Sequence, residues 1–175
     1  MRTSEIFHNS WSLSYPASKR PRQVQTGDVM FIGRMVRSPS DTMIYGRAVA
    51  YRYEPLRDDA SNADKKRRSW KKEWSRYIRV RDPEFIDGPL SNGISLTALM
   101  TELRAESFAS TEANQKAGIG NTDPRQSLRS KAHIRLSSKG ANWLNAKFDV
   151  ALTEHGHIAL NRLEGLYWPE LPRWA

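Results

Sequence analysis

The chain of 175 residues contains no cysteine. This absence excludes disulfide bonds, thiolate zinc sites, iron–sulfur clusters and cysteine nucleophiles, and it is typical of intracellular proteins. No apolar run approaches the roughly 18 residues that a membrane helix needs, and residues 1–16 lack the apolar core of a signal peptide. The sequence therefore predicts a cytoplasmic protein that is not embedded in a membrane.

Motifs for enzymatic chemistry are also sparse. No Gly-x-Ser-x-Gly elbow occurs, and Gly118-Ile119-Gly120 is an isolated GxG without a following helix of the right kind. His155 and His157 could offer two metal ligands, but further ligands are missing from the pattern. Several carboxylates lie near predicted turns, where acidic residues are usually caps and turn formers: Asp58, Asp59, Asp82, Glu84 and Asp87. We expect no catalytic residue, no metal and no cofactor, with a small nuclease-like enzyme as an alternative.

Cations, in contrast, predominate. Lysine and arginine number 28 against 19 aspartates and glutamates, which gives a formal net charge of +9 and an isoelectric point near 10.0. Phosphate backbones favour such a surface because binding releases counterions, and this charge is typical of nucleic-acid-binding proteins. Six tryptophans argue against global disorder despite a mean hydropathy of −0.70.

The apolar pattern indicates an α+β fold. Alternating or β-rich segments predict strands at residues 11–15, 29–36, 44–53, 77–81 and 132–136, and the continuous apolar run at 29–36 favours a central strand. Caps and apolar stripes predict helices over 96–104 and from Ser137 or Ser138 to about Thr153, ended by Gly156. Residues 56–74 predict a long mobile loop, with one short helical turn as an alternative, and 105–131 a structured loop with short helical pieces.

Strands joined by tight turns, with few helices between them, favour a small, mixed, strongly twisted β-barrel flanked by two to four helices. At this length one domain is expected. We predict a core of about residues 9–150, on which residues 151–175 pack as a C-terminal extension.

Aromatic residues alternate with cations in two clusters, a pattern suited to base stacking combined with phosphate neutralisation. The first cluster comprises Lys65, Lys66, Arg67, Arg68, Trp70, Lys71, Lys72 and Trp74. The second comprises Trp11, Ser12 and Ser14 with the basic residues Lys19, Arg20 and Arg22. Two structural alternatives stay open: Trp74 could plug the barrel end, and Trp11 could face the core together with Leu13 and Tyr15.

The order of these elements resembles the PUA-like superfamily and, within it, the EVE domain, a relative of the YTH readers of modified bases. The resemblance covers residues 9–150. It rests on the Trp11 strand and on five further short motifs: Gly27-Asp28 before an apolar strand, Tyr45-Gly46-Arg47-Ala48-Val49, Tyr77-Ile78-Arg79-Val80, Ile94-Ser95-Leu96-Thr97-Ala98-Leu99, and Leu136-Ser137 leading to Trp143. The insert at 105–131 has no clear counterpart in the family.

The resemblance implies recognition of a modified or flipped base in an aromatic-lined pocket with a basic rim. Its matching positions are Trp11, Ser12, Ser14, Phe31, Arg34, Trp70 and Trp74. We therefore expect a module that binds DNA or RNA. The alternatives are the nuclease-like enzyme and a protein–protein adaptor that uses the tail residues Trp168, Pro169, Pro172 and Trp174.

Overall fold

The computed structural model describes residues 2–7, 10–15, 21, 24–37, 40–53, 58, 60–128 and 133–158. Its strands are β1 (Arg2–Phe7), β2 (Ser10–Tyr15), β3 (Val29–Arg37), β4 (Ser40–Tyr53), β5 (Arg76–Phe85) and β6 (Ile94–Ser95). Its α-helices are α1 (Asn62–Arg67), α2 (Leu96–Leu103), α3 (Ala109–Ala117), α4 (Pro124–Leu128) and α5 (Ser138–His155). Short 3₁₀ helices cover Ser69–Lys72, Leu90–Asn92 and Arg104–Ser107. The predicted α+β class is confirmed.

The strands form one sheet in the order β1-β2-β5-β4-β3, and β6 pairs with β4. The pairings β1–β2, β2–β5, β4–β5 and β4–β6 are all antiparallel. Strands β1 and β3 stand at the two ends of this order, so the described pairings do not close the sheet into a barrel. The barrel thus stays a prediction.

The chain divides into two compact units. The first takes the described residues of Met1–Ile32, Gly46–Phe85 and Ile158–Ala175, and the second those of Gly33–Tyr45 and Ile86–His157. The largest buried side chains of the first unit are Tyr15, Ile32, Lys71, Tyr77, Ile78, Val80 and Phe85. Those of the second are Ile44, Tyr45, Ile86, Leu90, Ile94, Leu96, Leu99, Met100, Phe108, Leu144, Phe148 and Leu152. None of the described helices combines the length and apolar character that a membrane span requires.

In the first unit, the alternation predicted for 77–81 sorts β5 into two faces. Ile78 and Val80 are buried, and they pair in register with Leu13 and Trp11 of β2. Arg79 and Arg81 alternate with them and therefore belong to the opposite face of the sheet. The turn before β3 is also the predicted one, because Gly27 has φ +94° and its N–H donates to the Ala50 carbonyl at 2.7 Å.

In the second unit, the predicted caps are confirmed. Ser95 caps α2 by accepting from the Ala98 N–H at 3.0 Å, and Ser137 caps α5 by accepting from the Gly140 N–H at 2.9 Å. Gly156, at φ +79°, ends α5. The buried face of α5 contains Leu144, Phe148, Ala151 and Leu152, whereas Trp143, predicted for this face, is half-buried.

The prediction that the strand at 29–36 is central is wrong. Strand β3 lies at one end of the strand order. Its apolar run is not buried throughout: Ile32 is 3% exposed, but Val29 is 47% and Met35 71% exposed. An apolar run of this length therefore supplies one buried face and one exposed face, as an outer strand requires.

Two other segments also differ from their predictions. Residues 62–72 hold more helix than the single short turn considered for the predicted loop. They fold into α1 and a 3₁₀ helix, because Ser61 caps the first turn and cations gather in the last turn, where the helix dipole favours them. Leu136 forms a single bridge to Phe108, so the described part of 132–136 holds no strand. Strand β5 continues through Asp82-Pro83 to Phe85, with Asp82 at φ +50°.

Candidate nucleic-acid interface

The cationic segment (residues 62–72) is organised by Asp64. The Ser61 hydroxyl donates to the Asp64 carboxylate at 2.8 Å, the Arg67 guanidinium lies 3.3 Å from it, and the Lys71 ammonium 3.8 Å. The hydrogen bond from Ser61 lowers the pKa of Asp64 below its ordinary value; partial burial opposes this and Lys71 and Arg67 reinforce it. Asp64 is therefore the ionised centre that fixes the segment.

Lys71 has a structural place in this segment. Its side chain is 0% exposed, and its Nζ lies 5.9 Å from the Trp70 ring centroid and 5.4 Å from that of Tyr77. Cations at such distances are attracted by the ring quadrupole. An ammonium enclosed in this way does not reach a phosphate, so Lys71 joins the segment to β5 instead of contacting a ligand as predicted.

A second cation, Arg79, lies over the Tyr77 ring. Arg79 Cζ lies 5.1 Å from its centroid, and the ring itself is 2% exposed. Tyr77 and Arg79 are two residues apart on β5 and so share one face of the sheet. Lys71, Tyr77 and Arg79 thus connect the cationic segment to that face within the first unit.

Three arginines mark this face, and we call Arg52, Arg79 and Arg81 the arginine face. Arg52 of β4 pairs in register with Arg79 of β5, and Arg81 follows two residues later on β5. Arg52 and Arg81 are exposed and Arg79 is half-buried. Further along the same two strands, Arg47 and Glu84 form a register pair of opposite charge, and the Arg47 guanidinium lies 2.7 Å from the Glu84 carboxylate.

Two predicted residues of the other cluster belong to this face by register. Ser12 pairs with Arg79 and Ser14 with Tyr77 across β2 and β5. Trp11 pairs with Val80, whose side chain is buried on the opposite face. The register thus separates Trp11 from Ser12 and Ser14. Lys19, Arg20 and Arg22, the basic residues of this cluster, lie outside the described residues, as do the tail residues Trp168, Pro169, Pro172 and Trp174.

The other residues of the cationic cluster are distributed around α1 and the 3₁₀ helix. The Lys65 ammonium lies 2.6 Å from the Asp58 carboxylate, Lys66, Arg67 and Lys72 are exposed, and Arg68 is half-buried. Trp70 and Trp74 are half-buried and adjacent, since the Trp74 N–H donates to the Trp70 carbonyl at 3.1 Å. The segment therefore presents three exposed cations beside two partly accessible indoles.

Phe31 and Arg34 both lie half-buried on β3 but fall in different units. Phe31 belongs to the first unit, whereas Arg34 belongs to the second together with Tyr45. Burial raises the pKa of Tyr45 to about 12, and the positive charge of Arg34 opposes this rise. Arg34 thus has an electrostatic role within the second unit.

Three of the carboxylates considered for catalysis each lie beside a cation, and Asp59 lies outside the described residues. Glu84 pairs with Arg47, Asp58 with Lys65, and Asp82 lies 3.5 Å from Arg81. Within the described ranges, no group of three or more histidine and acidic side chains could hold a metal ion. Burial lowers the pKa of His133 to about 4, so this imidazole is neutral at pH 7.

The sequence analysis did not identify the arginine face as a site. Its signal was present in the alternation of Tyr77, Arg79 and Arg81 with buried residues, which marks a strand face but does not say what faces it. The opposing Arg52 depends on register, which the sequence does not supply. Comparison of the chain with protein-family models, with curated proteins and with solved structures finds no match.

Proposed function

We propose that this protein binds nucleic acid through the arginine face and the neighbouring cationic segment of the first unit. The observation that carries the proposal is the register pair Arg52–Arg79, with Arg81 beside it. An anion bound across this face can contact more than one guanidinium group, and such charge-assisted hydrogen bonds are strong. Guanidinium groups match phosphate oxygens in a two-pronged geometry, which makes arginine the preferred residue for this contact.

The charge of the whole chain supports a polyanion as the ligand. The formal net charge is +9, and the cationic segment extends the positive surface through Lys66, Arg67 and Lys72, all of them exposed. A row of cations gains affinity by releasing the counterions of a phosphate backbone. A single small anion would gain from one or two of these side chains only.

The finer part of the proposal is recognition of a modified or flipped base by a PUA-like, EVE-like module. It rests on the sequence resemblance and on the half-buried Trp70 and Trp74, which lie beside exposed cations. A flipped base costs a few kcal/mol to unstack. Stacking on an indole and hydrogen bonds to the base edge offset that cost, and Ser12 and Ser14 are candidates for the latter.

The test measures binding of labelled DNA and RNA oligonucleotides over a series of salt concentrations. The double variant Arg52→Gln/Arg81→Gln removes two cations from the arginine face. The matched control Lys116→Gln/Arg125→Gln removes two exposed cations from α3 and α4 of the second unit. We expect the first variant to bind more weakly and to lower the slope of log affinity against log salt by about 1.4, since each phosphate contact on a single strand contributes about 0.7.

An equal effect of the two variants would show that only net charge matters and would refute the arginine face as the interface. Absence of binding by the unaltered protein would refute nucleic-acid binding itself. Oligonucleotides that carry a modified cytosine or adenine, compared with plain ones, test the finer part. There we expect Trp70→Ala or Trp74→Ala to remove any preference for the modified base.

A further inference from the structure

Strand β4 contains a bulge at Tyr51. Ala50 pairs with Val80 and Arg52 pairs with Arg79, so Tyr51 is an extra residue for which β5 has no counterpart. A bulge lets two residues of one strand oppose one residue of the next, and it re-aims a side chain. Here Tyr51 and Arg52 both oppose Arg79. The bulge also explains why these two consecutive strand residues are both exposed.

The turn before β3 holds the bulge in place. The Gly27 N–H donates to the Ala50 carbonyl at 2.7 Å, the Ala50 N–H to the Asp28 carbonyl at 2.9 Å, and the Thr26 hydroxyl to the Tyr51 carbonyl at 3.2 Å. The Gly27-Asp28 turn, itself closed by Asp28 accepting from the Gln25 N–H, thus fixes the backbone on both sides of Tyr51. The side chain therefore extends from a rigid position.

Tyr51 is unusual for an aromatic residue in this sheet. Its side chain is 39% exposed, whereas Tyr15 and Tyr77, on neighbouring strands of the same unit, are 0% and 2% exposed. Tyr51 therefore presents part of its surface to solvent, whereas Tyr15 and Tyr77 do not. Its neighbour along β4 is Arg52, and the residue opposite both on β5 is Arg79.

We infer that Tyr51 is a stacking platform for an unpaired base, and that the ligand of the arginine face is a single-stranded nucleic acid. This inference rests on the proposed function. An exposed aromatic ring among arginines offers a π-face to the base and charge to the flanking phosphates, which is the combination that single strands require. A duplex in which every base stays stacked presents no free base face to such a ring.

The experiment compares labelled single-stranded DNA and RNA of about 12 nucleotides with the corresponding duplex. Tyr51→Leu keeps an apolar side chain but removes the ring, and Tyr51→Phe restores the ring without the hydroxyl. Val150→Ala, at an exposed apolar position of α5 in the second unit, is the control. We expect Tyr51→Leu to weaken single-strand binding about 5- to 100-fold. Tyr51→Phe and Val150→Ala should stay within about twofold of the unaltered protein, and duplex binding should be unchanged in all three.

The possible outcomes separate this inference from the proposed function. If Arg52→Gln/Arg81→Gln weakens binding but Tyr51→Leu does not, stacking at Tyr51 is refuted and the arginine face stands. If Tyr51→Leu weakens single-strand and duplex binding equally, the residue acts through the fold, and the inference is again refuted. If the unaltered protein binds neither probe, both fail. Thermal unfolding of each variant confirms that it is folded.

Discussion

At the scale of single residues, Asp41 of the second unit holds together two elements through several hydrogen bonds. It accepts hydrogen bonds from the Ser95 hydroxyl at 2.5 Å, from the Thr97 N–H and hydroxyl at 3.0 and 2.8 Å, and from the Thr42 N–H at 2.6 Å. Burial alone would raise the pKa of Asp41, but these hydrogen bonds outweigh it and hold the pKa below its ordinary value. Asp41 therefore ties the start of β4 to the cap of α2.

We predict that Asp41→Ala lowers the free energy of unfolding by about 2–3 kcal/mol at pH 7, the magnitude typical of hydrogen bonds to a charged group. Because the pKa of Asp41 is lower in the folded than in the unfolded state, its contribution is present above the ordinary value of 3.8 and is lost as the pH falls through the folded value. Urea unfolding at pH 7 and pH 3 measures both effects. Glu102→Ala, at an exposed position of α2, should change stability by less than about 0.5 kcal/mol. If Asp41→Ala loses as much unfolding free energy at pH 3 as at pH 7, relative to the unaltered protein, the electrostatic account is contradicted.

Local chemistry at this scale could be predicted from the sequence. Ser95, Ser137, Gly156 and the Gly27 turn were all identified because a cap or turn depends on one residue and its near neighbours. Lys71 shows the opposite case. Its burial against Trp70 and Tyr77 depends on a strand that begins several residues later. The sequence analysis therefore grouped it with the cations of the predicted binding cluster.

At the scale of elements, α5 packs closely on the segment before α3. Gly140 is fully helical, but a Cβ added there would overlap the Ser107 carbonyl oxygen. Ser137, the cap of the same helix, also donates its hydroxyl to the Glu106 carbonyl. The first turn of α5 is thus fixed to the 3₁₀ helix Arg104–Ser107 by contact and by hydrogen bond.

We predict that Gly140→Ala destabilises the protein. In an exposed helix the change would stabilise by about 1 kcal/mol, since glycine has the lower helix propensity. Here the overlap with backbone forces a shift, which costs about 1–3 kcal/mol and reverses the sign. Thermal unfolding of Gly140→Ala beside Asn142→Ala, at an exposed position of the same helix, tests this. A raised melting temperature in Gly140→Ala would show that α5 has room at this turn.

Errors of prediction at the element scale share one cause. The run at 29–36 was interpreted from composition as a central strand, and the polar stretch at 56–74 as a loop with one short helical turn at most. Composition does not state which neighbour covers a strand, and Met35 is exposed where a central strand would bury it. Nor does it reveal that Ser61 and Asp64 suffice to cap a short helix within a charged stretch.

At the scale of the whole molecule, the net charge and the positions of the charged residues are two different properties. The net charge of +9 could be counted from the sequence, and it predicted an affinity for polyanions. The sequence did not show which cations share a face, because register between β4 and β5 arises only in the folded sheet. The barrel was inferred from strand number and turns, and the described pairings leave that sheet open.

We predict that affinity for heparin follows total charge, whereas affinity for a single strand follows the arginine face. Arg52→Gln/Arg81→Gln and Lys116→Gln/Arg125→Gln each lower the formal charge from +9 by two. The salt concentration that elutes each variant from immobilised heparin should therefore fall by a similar amount, because weakly specific binding depends on summed charge. Oligonucleotide binding should fall only for the first variant. A much earlier heparin elution of the first variant would mean that the arginine face binds any polyanion.

The bulge at Tyr51 also has a consequence for how the sequence of this sheet can change in length. A bulge is one inserted residue that the pairing on either side tolerates. Removing Tyr51 would leave Ala50–Val80 and Arg52–Arg79 as consecutive pairs of a regular ladder. Removing a residue elsewhere in β4 would instead transfer every following side chain to the other face. Deletion of Tyr51 would thus remove the aromatic ring while the other side chains of β4 stay on their own faces of the sheet.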